Sequence, residues 1–225
     1  MRHINQADGR FRASTHPGIA GRERELRSLA DGVRRLNAAV VTNAADAQET
    51  ARLAAAVHAL ADTFEPSLPD VLPARYAGGE HPDDLEPHDV FPYDPVLGIY
   101  SPLALPVEVE YAEGRAIGRA RFTTAYEGPP GCVHGAVIAG VFDQVFNVAN
   151  IMGGTAGPTV VLTLRYRRPT PLREDLRFEA WVEDVTDDRV TSRGRALFGD
   201  AVTVEAEGVF KMLDRDRVMR MAEPR

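Results

Sequence analysis

One stretch of the sequence dictates most of what the rest can do. From about Gly135 to Met152 the chain reads as a helix that is apolar on nearly every side, with Val137, Ile138, Val141, Phe142, Val145 and Phe146 among its residues. It is closed by Gly153-Gly154, a pair suited to the end of a helix. A helix that is apolar all round has to be enclosed by something else. The flanking sequence supplies strands for this. Val107, Val109 and Tyr111 alternate with Glu108 and Glu110, Glu113-Gly114 supplies a turn, and residues 116–122 return, which is the pattern of a hairpin. After the helix, residues 159–167, 176–185, 190–198 and 201–212 all read as strands, with Asp187-Asp188 and Gly199-Asp200 as turns between the later ones. The expected class is α+β: a hairpin, one central helix, then a long antiparallel meander wrapped around that helix.

The first half of the chain has a different grammar. Residues 1 to about 20 show no period and read as a loose tail. Leu26, Leu29, Ala30, Val33, Leu36 and Val40 then recur at spacings of three and four, and a second stripe runs Leu53, Val57, Leu60, Phe64. A break near Thr42-Asn43, where a short polar side chain can cap the second helix, makes a helical hairpin the natural reading, with one bent helix as the alternative. Such a hairpin packs on the main domain or on a second subunit, and His58 belongs to packing or surface. Nine of the sixteen prolines fall between Pro66 and Pro106, together with the acidic run Glu80, Asp83, Asp84, Glu86 and Asp89, so this part is a linker or covering segment. His81 and His88 sit within it without a scaffold to fix metal-ligand geometry, which favours a solvated loop. The resulting division is a tail and helical hairpin over 1–65, a covering segment over 66–105, the main domain over 106–213 and a C-terminal tail over 214–225.

Charge and composition remove whole classes of function. With 26 basic and 33 acidic residues the net charge is −7, and no dense Lys/Arg block exists to hold a nucleic-acid backbone. The apolar helix is interrupted by Asp143, Gln144 and two asparagines, so no membrane span is expected. The N-terminus turns polar at once and offers no signal-peptide core, which points to the cytoplasm. A single cysteine, Cys132, precludes an intrachain disulfide framework and a multi-thiolate zinc site. Lys211 is the one lysine, leaving P-loop and Schiff-base chemistry almost without a candidate. No cofactor and no metal are expected.

Two features carry chemistry. The first is Asp143, one carboxylate on an otherwise apolar helix, with Asn147 and Asn150 on the same stripe. Burying it costs several kcal/mol unless it is paired or opens on a wet cleft. It is therefore either satisfied by a neighbour or works as a base or nucleophile. The second is the turn Pro130-Gly131-Cys132-Val133-His134-Gly135-Ala136, which leads into the helix. The unpaired N–H groups of a first helical turn sit at the positive end of the helix dipole and suit a carbonyl that must become an oxyanion. Gly135 and Ala136 are small enough to let a substrate approach that backbone, and His134 either polarises the carbonyl or merely caps. Cys132 has no evident activating partner and reads as a small buried hydrophobe. His134 and Asp143 are nine residues apart, on the order of 13 Å along a helix, so one carbonyl cannot touch both. If both act on one substrate, two subunits must share each site across a two-fold axis, giving a homodimer or a dimer of dimers.

These residues resemble the PaaI-like branch of the hotdog-fold thioesterase superfamily, whose motif places His-Gly-Gly at the start of the central helix and an acid nine positions after the His. Here the stretch runs from Gly131 through His134-Gly135-Ala136 to Asp143, and Thr159 to Pro169 is similar to the family's next strand. The resemblance covers about Pro106 to Met212 and implies a hotdog fold, with the helical hairpin as an extension outside it. It also implies hydrolysis of an acyl-CoA thioester, Gly135 donating to the oxyanion, Asp143 activating water or attacking, and Thr159 holding the water. Ala136 and Asn147 are the candidate lining of the substrate cleft. By alternation Arg165 and Arg167 share the Thr159 face and Arg168 opposes it; Arg167 or Arg168 is the candidate for a CoA phosphate, against the plainer reading of a solvated strand end. There are two departures from the family pattern: Ala136 stands where the second Gly is usual, and Gly128 where many members carry Asn or Gln. An enoyl-thioester hydratase or dehydratase of the same fold and a non-catalytic acyl-CoA or lipid-binding dimer are the competing readings.

Overall fold

The computed structural model describes residues 2–3, 16, 18–68, 91–155 and 157–213. The elements are β1 (Arg2–His3), α1 (Glu23–Val41), α2 (Ala47–Asp62), β2 (Val107–Ala112), β3 (Arg115–Ala120), α3 (Gly135–Met152), β4 (Thr159–Tyr166), β5 (Leu176–Val185), β6 (Arg189–Phe198) and β7 (Ala201–Lys211). The strands form one antiparallel sheet in the order β1-β2-β3-β5-β6-β7-β4, folded about α3 as a hotdog fold. The strands after the helix are thus not the simple meander expected. β3 pairs with β5, and β4 lies at the far edge beside β7. The length of α3 accounts for the displacement. Its 18 residues extend about 27 Å, and the four inter-strand steps from β3 to β4 amount to about 19 Å, so the helix is long enough to carry the chain to the opposite edge.

The inner face is shaped to admit the helix. Val141, Phe142, Val145 and Phe146 are fully enclosed, and Phe142 packs edge-on against Phe178 with ring centroids 5.5 Å apart. Glycines on facing strands make the room. A Cβ at Gly194 would lie 3.0 Å from both Phe142 and Phe146, and one at Gly208 would lie 2.9 Å from Phe146. At 18 residues and mean hydropathy 1.3, α3 has the length and composition of a membrane span, and its apolar face is instead covered by the chain's own strands.

The N-terminal region departs from expectation in three places. Arg2–His3 pair with Tyr111 and Glu110 on β2, although two residues are too few to leave a periodic signal. His16 and Ile19 are buried, so the tail is partly built into the fold. The cap of α2 is Asp46, whose carboxylate accepts from the Glu49 N–H at 2.9 Å, while Asn43 accepts from the Ala45 N–H in the turn before it. Two helices result. α1 is anchored by buried Ala30 and by Arg34, whose guanidinium donates to the carbonyls of Ile99 and Ser101. α2 buries none of its residues within the chain, and Leu53, Val57, Leu60 and Phe64 remain exposed.

Residues 91–105 lie over the domain, with Leu97, Tyr100 and Ala104 buried. The acidic run, His81, His88 and residues 214–225 lie outside the described residues. Among the described residues no group of three or more His, Cys, Asp or Glu is placed to hold a metal ion.

Candidate active site

The loop from Glu127 to His134 fixes the start of α3. Gly131 takes a positive φ of 73° and its N–H donates to the Glu127 carboxylate at 2.6 Å. The Gly128 N–H donates to the Cys132 carbonyl, and the His134 N–H donates to the Tyr126 carbonyl, both at 2.9 Å. The backbone of Gly128 lies so close to His134 that a Cβ there would be 2.7 Å from the His134 Cα. An Asn or Gln at 128 does not fit this loop, which is the physical reason for that departure from the family pattern. Cys132 is half-buried, and its thiol faces the Pro130 carbonyl at 3.6 Å.

His134 is the N-cap of α3. Its Nδ1 accepts from the Ala136 N–H at 3.0 Å, which assigns the proton of the neutral ring to Nε2. The Val137 and Ile138 N–H groups donate to the His134 carbonyl. Of the four leading N–H groups of the helix, that of Gly135 is thus left with no acceptor among the described residues. Tyr166 covers the same glycine: its hydroxyl donates to the Gly135 carbonyl at 2.9 Å, and a Cβ on Gly135 would meet that hydroxyl at 3.0 Å. Partial burial pushes the Tyr166 phenol above its ordinary range, so it remains a donor. The exposed methyl of Ala136 stands beside this opening.

Asp143 lies further along α3, half-buried, and its Oδ1 accepts from the Thr159 hydroxyl at 2.6 Å. The carboxylate and the hydroxyl are therefore brought together. The side-chain amide of Asn147 donates back to the Asp143 backbone carbonyl at 3.0 Å. This is the local bond that a short polar side chain readily makes within a helix. Asn150 is a core residue whose Oδ1 accepts from Ser192 at 2.6 Å.

Asp94 is a member of the neighbourhood that sequence reasoning did not find. Its Oδ1 accepts from the N–H groups of Val96 and Leu97, each at 2.8 Å. Val96 reaches to 3.6 Å from where a Cβ on Gly140 would stand, one helical turn before Asp143. Burial, assisted by the charge of Asp143, pushes the Asp94 carboxyl above its usual range. Only its place in a proline-rich segment was visible in the sequence, and nothing there tied it to α3.

The arginines at the end of β4 and just beyond it need correction. A bulge between Thr159 and Val161 shifts the register, so Leu162, Leu164 and Tyr166 join Thr159 on the inner face, and Arg165, opposite Glu205, points outward. Arg167 is likewise turned away, and its guanidinium is held by the Glu205 carboxylate at 2.7 and 3.0 Å. Strand β4 ends at Tyr166, so alternation assigns no face to Arg168.

A family model described as the thioesterase superfamily matches residues 130–197. Among solved structures, a thioesterase superfamily protein is similar at 31% identity and a TM-score of 0.74, over 93% of this chain and 100% of that one. Zebra fish thioesterase superfamily member 2 is 17% identical over 48% of this chain and 82% of its own, at a TM-score of 0.45. A Streptococcus mutans protein bound to acetyl CoA is 15% identical over 47% and 86%, at 0.44. No curated protein sequence matches the chain.

Proposed function

The chain belongs to the thioesterase superfamily, and on that premise we propose that it hydrolyses acyl-CoA thioesters to the free acid and CoA. The observation that carries this reading is the Gly135 N–H, left without an acceptor at the positive end of α3 while its neighbours in the first turn are satisfied. A thioester carbonyl placed there accepts from Gly135, with the Nε2–H of His134 as a second donor. Water held against the second oxygen of the Asp143 carboxylate and the Thr159 hydroxyl oxygen attacks the carbonyl carbon as Asp143 takes its proton. Collapse of the tetrahedral intermediate breaks the C–S bond, and the thiolate of CoA leaves and takes up that proton.

Each site is proposed to be shared. Gly135 and Asp143 are eight residues apart on one helix, on the order of 12 Å, so a second copy must supply the carboxylate. Strand β4 is at the sheet edge, and Val160 and Val161 are each 49% exposed. A partner strand added along that edge covers these side chains and sets two α3 helices antiparallel.

Saturating acyl-CoA with free-thiol detection tests the reaction. Release of one thiol per acid formed is expected. Hydration of an enoyl thioester without thiol release, or binding alone, would replace this reading.

A further inference from the structure

One cleft among the described residues lies away from Asp143. A cavity of about 810 Å³ opens between α1, residues 97–106 and the ends of β2, β3, β5 and β6, within the size range of small-molecule sites. Its floor includes the buried side chains of Leu97, Val107 and Leu176. Its rim carries Arg27, Arg34, Arg119, Arg121 and Arg177 against Asp31, Glu108 and Asp175, a local excess of cations in a chain of net charge −7.

Two of these arginines retain capacity for an anion. Arg177 shares one carboxylate, Glu179, with Arg115 and Arg195, at 3.2, 3.9 and 2.7 Å, so three guanidinium groups face a single negative charge. Arg121 meets Asp175 at 3.3 Å with side chains 62% and 90% exposed, a pairing that contributes little. Guanidinium forks match phosphate oxygens, and an apolar floor suits a heterocyclic base. The cleft is also joined to the start of α3. Its wall α1 packs on the turn Thr124–Tyr126, and the Tyr126 carbonyl holds the His134 N–H at 2.9 Å.

We infer that this cleft receives the phosphorylated adenosine end of the CoA thioester, with Arg121 and Arg177 on its phosphates and the pantetheine arm running past the 124–134 loop to Gly135. The inference rests on the thioesterase reading and moves the phosphate contact away from Arg167, which Glu205 engages.

The test is the double variant Arg121→Gln/Arg177→Gln of the full chain. Its fold is protected because Glu179 keeps Arg115 and Arg195, and Asp175 is solvated. Calorimetric titration with 3′-phospho-ADP should show binding by the wild type and at least about tenfold weaker binding by the variant. KM for acyl-CoA should rise to a similar extent at unchanged kcat, while turnover of the matching acyl-N-acetylcysteamine thioester, which lacks the nucleotide, stays as it was. No nucleotide binding by the wild type, equal binding by the variant, or equal KM changes for both thioesters would overturn the inference. Arginine-dependent nucleotide binding with an unmoved KM for acyl-CoA would also overturn it, showing a site for a free nucleotide instead. Absence of thiol release from both thioesters alongside arginine-dependent nucleotide binding would refute the thioesterase reading and leave a nucleotide cleft.

Discussion

Asp143→Asn separates a working carboxylate from a structural one. The substituted amide has nearly the same volume and keeps an oxygen to accept from Thr159, which now sits 2.6 Å from Oδ1. Basicity is what it lacks. A positioned general base contributes about 10²–10⁴-fold, so turnover at saturating acyl-CoA should fall at least about a hundredfold, or ~2.7 kcal/mol of transition-state stabilisation. The effect on the fold is much smaller. A charge-assisted hydrogen bond becomes a neutral one at about 1 kcal/mol, offset in part by removing the charge that opposes ionisation of Asp94. The melting temperature should move by no more than about 2–4 °C, and acyl-CoA should still bind. Thiol release, a thermal melt and a binding titration on the same preparation decide the matter. Near-normal turnover, or an activity loss matched by equal losses of binding and melting temperature, would refute the reasoning.

Three further outcomes are expected. Phe146→Ala removes a fully buried ring that packs on Phe142 and Phe210 at 5.7 and 6.1 Å and should destabilise by about 3–5 kcal/mol, read by denaturant unfolding. Gly128→Asn drives a side chain into the His134 backbone, so melting should fall by several degrees and activity should drop, not rise, although the substitution restores the residue common in the family. The raised carboxyl of Asp94 means that the folded state binds its proton more tightly than the unfolded chain, so this residue lowers stability as pH rises from the ordinary carboxylate range through its shifted one. Asp94→Asn keeps an oxygen for the Val96 and Leu97 N–H groups and should melt above wild type at neutral pH, with the difference shrinking in acid; an equal difference at both pH values would contradict this.

How much was legible in the sequence followed from how local each signal is. The central helix and its flanking strands were readable because alternation and helical spacing are written residue by residue, and the bounds of α3 agree with its glycine stop. Strand order was not, because it depends on where the helix delivers the chain. The face of Arg165 was misread for a related reason: one extra residue at Val160 inverts alternation from there on, and no composition rule marks that bulge. At the candidate site, Asp143 was conspicuous as a charge among apolar residues, whereas Thr159 stood out only through the family resemblance, and the structure brings the two into contact. Asn147 shared its stripe yet bonds to the helix backbone, since position on a face does not specify a side chain's partner. Asp94 and the arginine-rimmed cleft depend on residues far apart in the chain meeting in space, which no local pattern records.

In the proposed shared site each reaction centre takes Gly135 from one subunit and Asp143 from another. If the sites are shared as proposed, mixing Gly135→Pro chains, which lack the backbone donor, with Asp143→Asn chains should produce heterodimers in which one site carries both lesions and the other carries neither. Each parent should be inactive in thiol release from acyl-CoA, and a purified, folded heterodimer should recover about half the wild-type rate per dimer. A verified heterodimer as inactive as its parents would contradict the shared site.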